Sequence, residues 1–224
     1  MTRGEIITRF RGENPEVTQN VASDTTLQSW AEVGNLEIAR KARLIKGDTT
    51  FSAIIGTSQY NLSNEIDKFY AIDELPGGGV SYNDKRLNLE SIASLDMKRP
   101  SWRTASNGTP KDYYRRNQYL YLGTPPDAEE DIQVYCVLLA DPLDDDNKTP
   151  FNQLEYLESF HYSLVLYLKM RTFMGKVKKP DIAQLAQQEY QNYVTEMTNE
   201  VNREIYQEIR FRPPTGYRST SRRR

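Results

Sequence analysis

Between residues 154 and 174 the apolar positions Leu154, Leu157, Leu164 and Leu168, with His161 among them, recur at helical spacing. Phe160, Val165, Leu166, Tyr167 and Met170 widen that stripe until it covers most of the surface, and a helix apolar on most sides is normally buried. Thr149 is placed to cap its first turn, with Pro150 at the first helical position, and Gly175 followed by Lys176, Lys178 and Lys179 supplies a stop. A second helix is expected from Pro180, where Ile182, Ala186, Tyr193, Met197, Val201 and Ile205 form a narrower stripe opposite Gln, Asn and Glu. Together they read as a helical hairpin over residues 151–208, and the rest of the chain must cover its first member.

The N-terminal part predicts two more helices. In residues 2–11, Ile6, Ile7 and Phe10 share a face, and Gly12 with Pro15 ends it. After a loop over 14–24, residues 26–43 carry Leu27, Trp30, Ala31, Leu36, Ile38 and Ala42 toward an inner face, with Ser23 or Asp24 as the cap. Neither is long enough to be stable alone in water, so both are expected to pack on the hairpin.

From Gly47 to Leu143 the period changes to short apolar or aromatic runs separated by turn formers. Strands are predicted over residues 50–55, 59–62, 68–75, 80–82, 113–116, 118–122 and 132–139. Pro76 with Gly77, Gly78 and Gly79 marks a loop, Asn83 with Asp84 a hairpin turn, and residues 89–97 a helical turn or two. The expected class is α+β. A helical-bundle lobe, formed by residues 1–45 and the hairpin 149–208, carries an inserted antiparallel β-sandwich or barrel-like module, 46–148, and ends in an extended basic tail, 209–224. The ends of an inserted module lie close together.

Composition narrows the function. Of 224 residues only 38% are hydrophobic, Tyr occurs 15 times, and 29 basic against 31 acidic residues leave a net charge of -2. The whole-chain balance gives no pull toward nucleic acid or membrane, and the low apolar share implies a large wetted or partner-covered surface. No apolar signal segment opens the chain and no run approaches a bilayer span, so the expectation is a soluble protein, intracellular when made. The single Cys136, in the alternating run Ile132, Val134, Cys136, Leu138, reads as a buried structural thiol.

Nothing in the sequence assembles a catalytic set. His161 falls on an apolar helix face, and Gly77, Gly78 and Gly79 are not followed by the GK[ST] of a phosphate loop. Carboxylate pairs such as Asp67 with Asp73, or Asp112 with Asp131, have no distinguishing spacing. The acidic runs 127–131 and 141–146 lack the glycine and terminal glutamate of an EF-hand loop and read as solvated linkers. Tyr113, Tyr114, Arg115, Arg116, Tyr119 and Tyr121 interleave rings with bases, as a nucleic-acid platform would, but alternation along strands explains them as one packed and one wet face. No cofactor or metal is expected.

The ordered set Gly56–Leu62 (GTSQYNL), Val80, Ser81, Tyr82 and Leu87 around a hairpin, then Leu95, Asp96 and Trp102, Gly108, Thr109, Pro110 and Tyr113, and finally Tyr121–Asp127 (YLGTPPD) leading into Val134 and Tyr135, resembles the tail-adaptor, or head-tail connector, proteins of tailed bacteriophages. Asn61, Leu62 and Ser63 replace the usual Leu-Pro, and Gly123 with Thr124 lengthens the last turn. The resemblance implies no enzyme. It implies a homo-oligomeric ring, commonly of twelve copies, in the virion neck, which docks on the portal protein, extends the channel through which DNA passes during ejection, and receives a tail nozzle or tail-tube protein. Two rivals are a β-rich carbohydrate-binding or other tail structural protein, which needs no long hairpin, and a DNA-binding protein, which fits the basic tail but not the acidic body.

The hairpin is expected to stop before Ile209. Six of the last sixteen residues are Arg and none is acidic, while Pro213, Pro214 and Gly216 forbid a continuing helix. The resemblance implies that this segment inserts into or around the portal. Phe211 and Tyr217 would be anchors, and Arg210, Arg212, Arg218, Arg222, Arg223 and Arg224 would pair with carboxylates of the partner; contact with packaged DNA is the alternative for the last three.

Overall fold

The computed structural model describes residues 1–74 and 78–211, with the backbone alone for Arg103 and residues 204–211; the end of the predicted strand at Leu75 and the loop residues Pro76 and Gly77 lie outside the described residues. Helix α1 (Arg3–Glu13) is opened by a capping box, in which Thr2 Oγ1 accepts from the Glu5 N–H and a Glu5 carboxylate oxygen accepts from the Thr2 N–H at 2.8 Å. Helix α2 (Asp24–Lys41) is capped by Ser23, whose Oγ accepts from the Thr26 N–H at 3.2 Å. It ends where Arg43 turns left-handed (φ 51) and the Leu44 N–H reaches back to the Ala39 carbonyl at 3.0 Å.

Two layers of strands follow. In one sheet β9 (Asp131–Leu138) is central, with β1 (Lys46–Ser52) antiparallel along one side and β3 (Phe69–Ile72) and β4 (Val80–Tyr82) sharing the other, and β5 (Lys85–Arg86) outside β4. The second sheet runs β2 (Gln59–Asn61), β8 (Tyr119–Leu122), β7 (Asp112–Arg116), β6 (Asn88–Leu89), antiparallel except for the β6–β7 pair. Short helices α3 (Leu62–Glu65) and α4 (Ile92–Lys98) sit between strands. The β4–β5 turn has Asn83 and Asp84 at φ 48 and 57, the paired left-handed residues that a two-residue hairpin requires. Strand β1 begins earlier than the alternation indicated, because Lys46 and Gly47 pair with Val137 and Cys136.

The side chains separate into two main apolar cores. One gathers Ile6, Phe10, Leu27, Ile38, Phe151, Leu164, Leu168 and Met197 from the helices; the other gathers Leu62, Ile72, Val80, Leu120, Leu122, Ile132 and Val134 from both sheets. Leu138 packs against both, and its N–H donates to the Ile45 carbonyl at 2.9 Å, so the first and last strands meet where the chain passes between helices and sheets.

The helical hairpin is built differently from its pattern. Helix α5 (Tyr162–Gly175) starts a dozen residues after Pro150, and the capped start at Thr149 is absent. Pro150 leads instead into Phe151, Asn152 and Gln153 at φ 55, 55 and 61, followed by a 3-10 segment, Glu155–Phe160. Left-handed backbone costs about 1–2 kcal/mol per residue away from glycine. Tertiary bonds hold it: Phe151 is fully buried, its N–H donates to Asn35 Oδ1 at 3.0 Å, and Asn35 Nδ2 donates to the Asp141 carbonyl at 3.1 Å. Asn152 Oδ1 accepts from the Asp141 N–H at 2.8 Å. Helix α6 (Pro180–Phe211) then packs back on α5 and continues past residue 208, where a stop was expected, to Phe211.

Candidate docking site

Helix α6 is held by its narrow apolar stripe. Ala183, Ala186, Tyr190, Met197 and Val201 are buried; the Tyr190 ring lies against Tyr167 at 5.8 Å, and Tyr193 sits between Phe160 and Tyr162 at 6.4 and 5.9 Å. Burial pushes the Tyr190 hydroxyl well above the ordinary phenol range, with Glu37 adding to the shift. At 1.5 Å per residue the 32 residues span about 48 Å, more than twice the length of α5. Val201 is the last buried side chain described, and the helix runs on through residues 202–211. Of the expected docking residues, Arg210 and Phe211 lie in the last turn of α6. Arg212, Tyr217, Arg218, Arg222, Arg223 and Arg224 lie outside the described residues.

The chemically capable side chains are occupied elsewhere. His161 is fully buried, with Nδ1 2.8 Å from the Met1 amine. Cys136 is fully buried between β1 and β3, its thiol donates to the Gly47 carbonyl at 3.4 Å, and burial pushes its pKa up to about 11. Asp73 is paired with Lys46 at 2.8 Å, while Asp112 takes Arg99 at 2.9 Å and Asn88 at 3.2 Å. Asp67, in the turn before β3, and Asp131, the first residue of β9, are exposed. Among the described residues, no group of three or more His, Cys, Asp or Glu is placed to hold a metal ion.

The acidic run at 141–146 is more than a solvated linker. Asp141 is paired with Lys68, Asp144 with Lys148 at 2.5 Å, and Asp146 with Arg3 at 2.8 Å and with Gln28. Arg3 also donates to the Leu143 carbonyl at 2.7 Å, so a buried guanidinium ties α1 to this segment. Nothing along the chain signals Arg3 or Asn35, since neither pairing has a fixed spacing.

The tyrosine-rich strands have one face in the sheet core and the other partly covered, with Arg115 and Arg116 exposed. Tyr113 is in the sheet core. On the other face Tyr114 stacks on Tyr121 at 4.4 Å and 7°, and Trp102 meets Tyr114 edge-on at 5.3 Å, with Leu95 completing a small cluster. The ring faces that a stacking platform would offer to bases are taken up by one another, and the face expected to be wet is partly closed by α4 and the turn carrying Trp102.

No helix among the described residues is long and apolar enough to cross a membrane. The backbone of α6 leads directly into the arginine-rich segment. No curated protein matches the chain. A family model described as SU10 adaptor protein matches residues 1–216, and the chain belongs to the SU10 adaptor protein family, a family of bacteriophage adaptors with a structural role.

Proposed function

We propose that this chain is the adaptor subunit of a bacteriophage neck, forming a ring of twelve copies that joins the portal protein to a tail nozzle or tail-tube protein and lengthens the DNA channel without sequence-specific contact. On this reading it is made in the host cytoplasm and resides in the virion. Residues 1–45 and 149–208 form the supporting helical lobe, 46–148 the inserted β module, and 209–224 the portal-docking tail. One observation carries the assignment of the tail: α6 is anchored by an apolar stripe through at least Val201, and its backbone continues to Phe211, directly into a segment with five more arginines and no acid. A helix leading into bidentate cations and the aromatic rings of Phe211 and Tyr217 suits docking on an acidic protein surface. Family membership supports the structural role and the absence of catalysis.

The test is truncation after Glu208, assayed for binding to the cognate portal. The body should keep its far-UV spectrum and melting profile while portal binding is lost; undiminished binding overturns the assignment. Binding of the intact chain to DNA without portal, steeply weakened by salt, would move Arg222, Arg223 and Arg224 to a nucleic-acid role instead.

A further inference from the structure

Residues 150–161 hold one conformation while their sequence encodes another. Locally, Thr149 is a strong helix cap and Pro150 a strong first helical residue. In the structure the same stretch is a left-handed turn at 151–153 and a 3-10 segment at 155–160. We propose that it is a two-state element, whose second state is an N-terminal extension of α5 beginning at Pro150.

Four observations carry this. First, the junction is already helical: His161 has φ -57 and ψ -25, and α5 begins there without a side-chain cap. The 3-10 segment needs only a shift from i+3 to i+4 bonding to join it. Second, Phe151, Leu154, Leu157 and His161 fall at helical spacing in line with Leu164 and Leu168. Phe151 and Leu157 are fully buried now, and their spacing lets them stay on the packed face of a longer helix.

Third, the present turn depends on a latch from another element. Asn35, itself 1% exposed, accepts from the Phe151 N–H at 3.0 Å and donates to the Asp141 carbonyl at 3.1 Å. In a helix starting at Pro150 the Phe151 N–H would occupy the second helical position, where the Thr149 hydroxyl takes over as acceptor. Conversion thus exchanges one acceptor for another rather than stranding a buried donor. Fourth, there is room to move: a polar cavity of about 480 Å³, lined by Lys68, Asp141, Thr149, Asn152 and Gln153, opens beside the turn. Asp141 is three residues beyond the end of β9, so releasing the latch loosens the near end of the segment between the sheets and the hairpin, while Arg3 still ties its far end to α1.

The experiment uses the full-length chain without any partner. Asn35→Ala removes both latch bonds. Hydrogen exchange over 150–161 should slow by about tenfold or more, and the far-UV spectrum should gain signal for about ten helical residues. Adding Gln153→Gly, which favours the left-handed turn at φ 61 and leaves the Asn152–Asp141 bond in place, should restore the wild-type pattern. Faster exchange over 150–161 with no gain in helix, or an identical result with and without Gln153→Gly, overturns the proposal. Asn152→Ala, which leaves Asn35 in place and disfavours the left-handed turn, should give the same gain where Asn35→Ala fails to fold. If neither variant gains helix, the segment has no second state.

Discussion

The Met1 amine lies 2.8 Å from His161 Nδ1, with the imidazole fully buried behind it. A protonated amine can only donate, so Nδ1 is the acceptor and the ring proton sits on Nε2, buried without a hydrogen-bond partner. Burial first, and the nearby positive charge second, push the His161 pKa down to about 4, with Glu5 opposing. The folded value lies below the ordinary 6.5, so as pH falls the unfolded chain takes the proton first. Stability is complete above about 6.5 and is lost progressively as pH falls toward about 4. The chain should be about 2 kcal/mol less stable at pH 5 than at pH 7 from this group alone. Urea titrations at the two pH values measure the difference. His161→Gln should flatten it, and an unchanged pH slope in that variant would assign the effect elsewhere.

Gly34 predicts a sign reversal. In an exposed helix Gly→Ala gains about 1 kcal/mol. Here an added Cβ would lie 2.8 Å from Tyr167 Cδ1 and 3.0 Å from Leu164 Cδ2, in the close approach of α2 to α5. Tyr167 is 1% exposed and its hydroxyl donates to Glu37 at 3.1 Å, so the ring has little freedom to retreat. Gly34→Ala should cost about 1–3 kcal/mol net. A urea midpoint equal to or above that of the wild type would show that the two helices separate at no cost.

The pairing of Lys46 with Val137 brings the two ends of the β region side by side. Joining Ile45 to Leu139 through a short Gly/Ser linker in place of residues 46–138 should leave a helical protein, because the helical core takes only Leu138 from the excised stretch. Far-UV dichroism and a thermal melt decide it. A cooperative helical remnant supports independent folding of the helical lobe, and a coil spectrum refutes it.

Tyr114 and Tyr121 are directly opposite in the β7–β8 register and stack at 4.4 Å. A double-mutant cycle with Tyr114→Leu and Tyr121→Leu should return a coupling of about 0.5–1.5 kcal/mol. Additive losses would mean that Trp102 and Leu95, rather than the stack, hold this cluster.

Periodicity alone located α1, α2, the α5 stripe, the start of α6 at Pro180 and most strands, because each depends on which face of a local element meets the core. The Asn83–Asp84 turn was legible for the same reason: those residues tolerate positive φ wherever they occur. The arginines of the tail, and the want of a cap or acid there, were also legible without a fold. What the tertiary structure decided is where long-range hydrogen bonds outweigh local preference. Thr149 and Pro150 call for a helix that does not form, because Asn35 from α2 and Asn152 with Asp141 hold the chain in a left-handed turn. The acids at 141–146 read as a solvated run, yet Arg3, well over a hundred residues away, draws Asp146 and the Leu143 carbonyl together. Such pairings are fixed by proximity in space, to which no spacing along the chain corresponds.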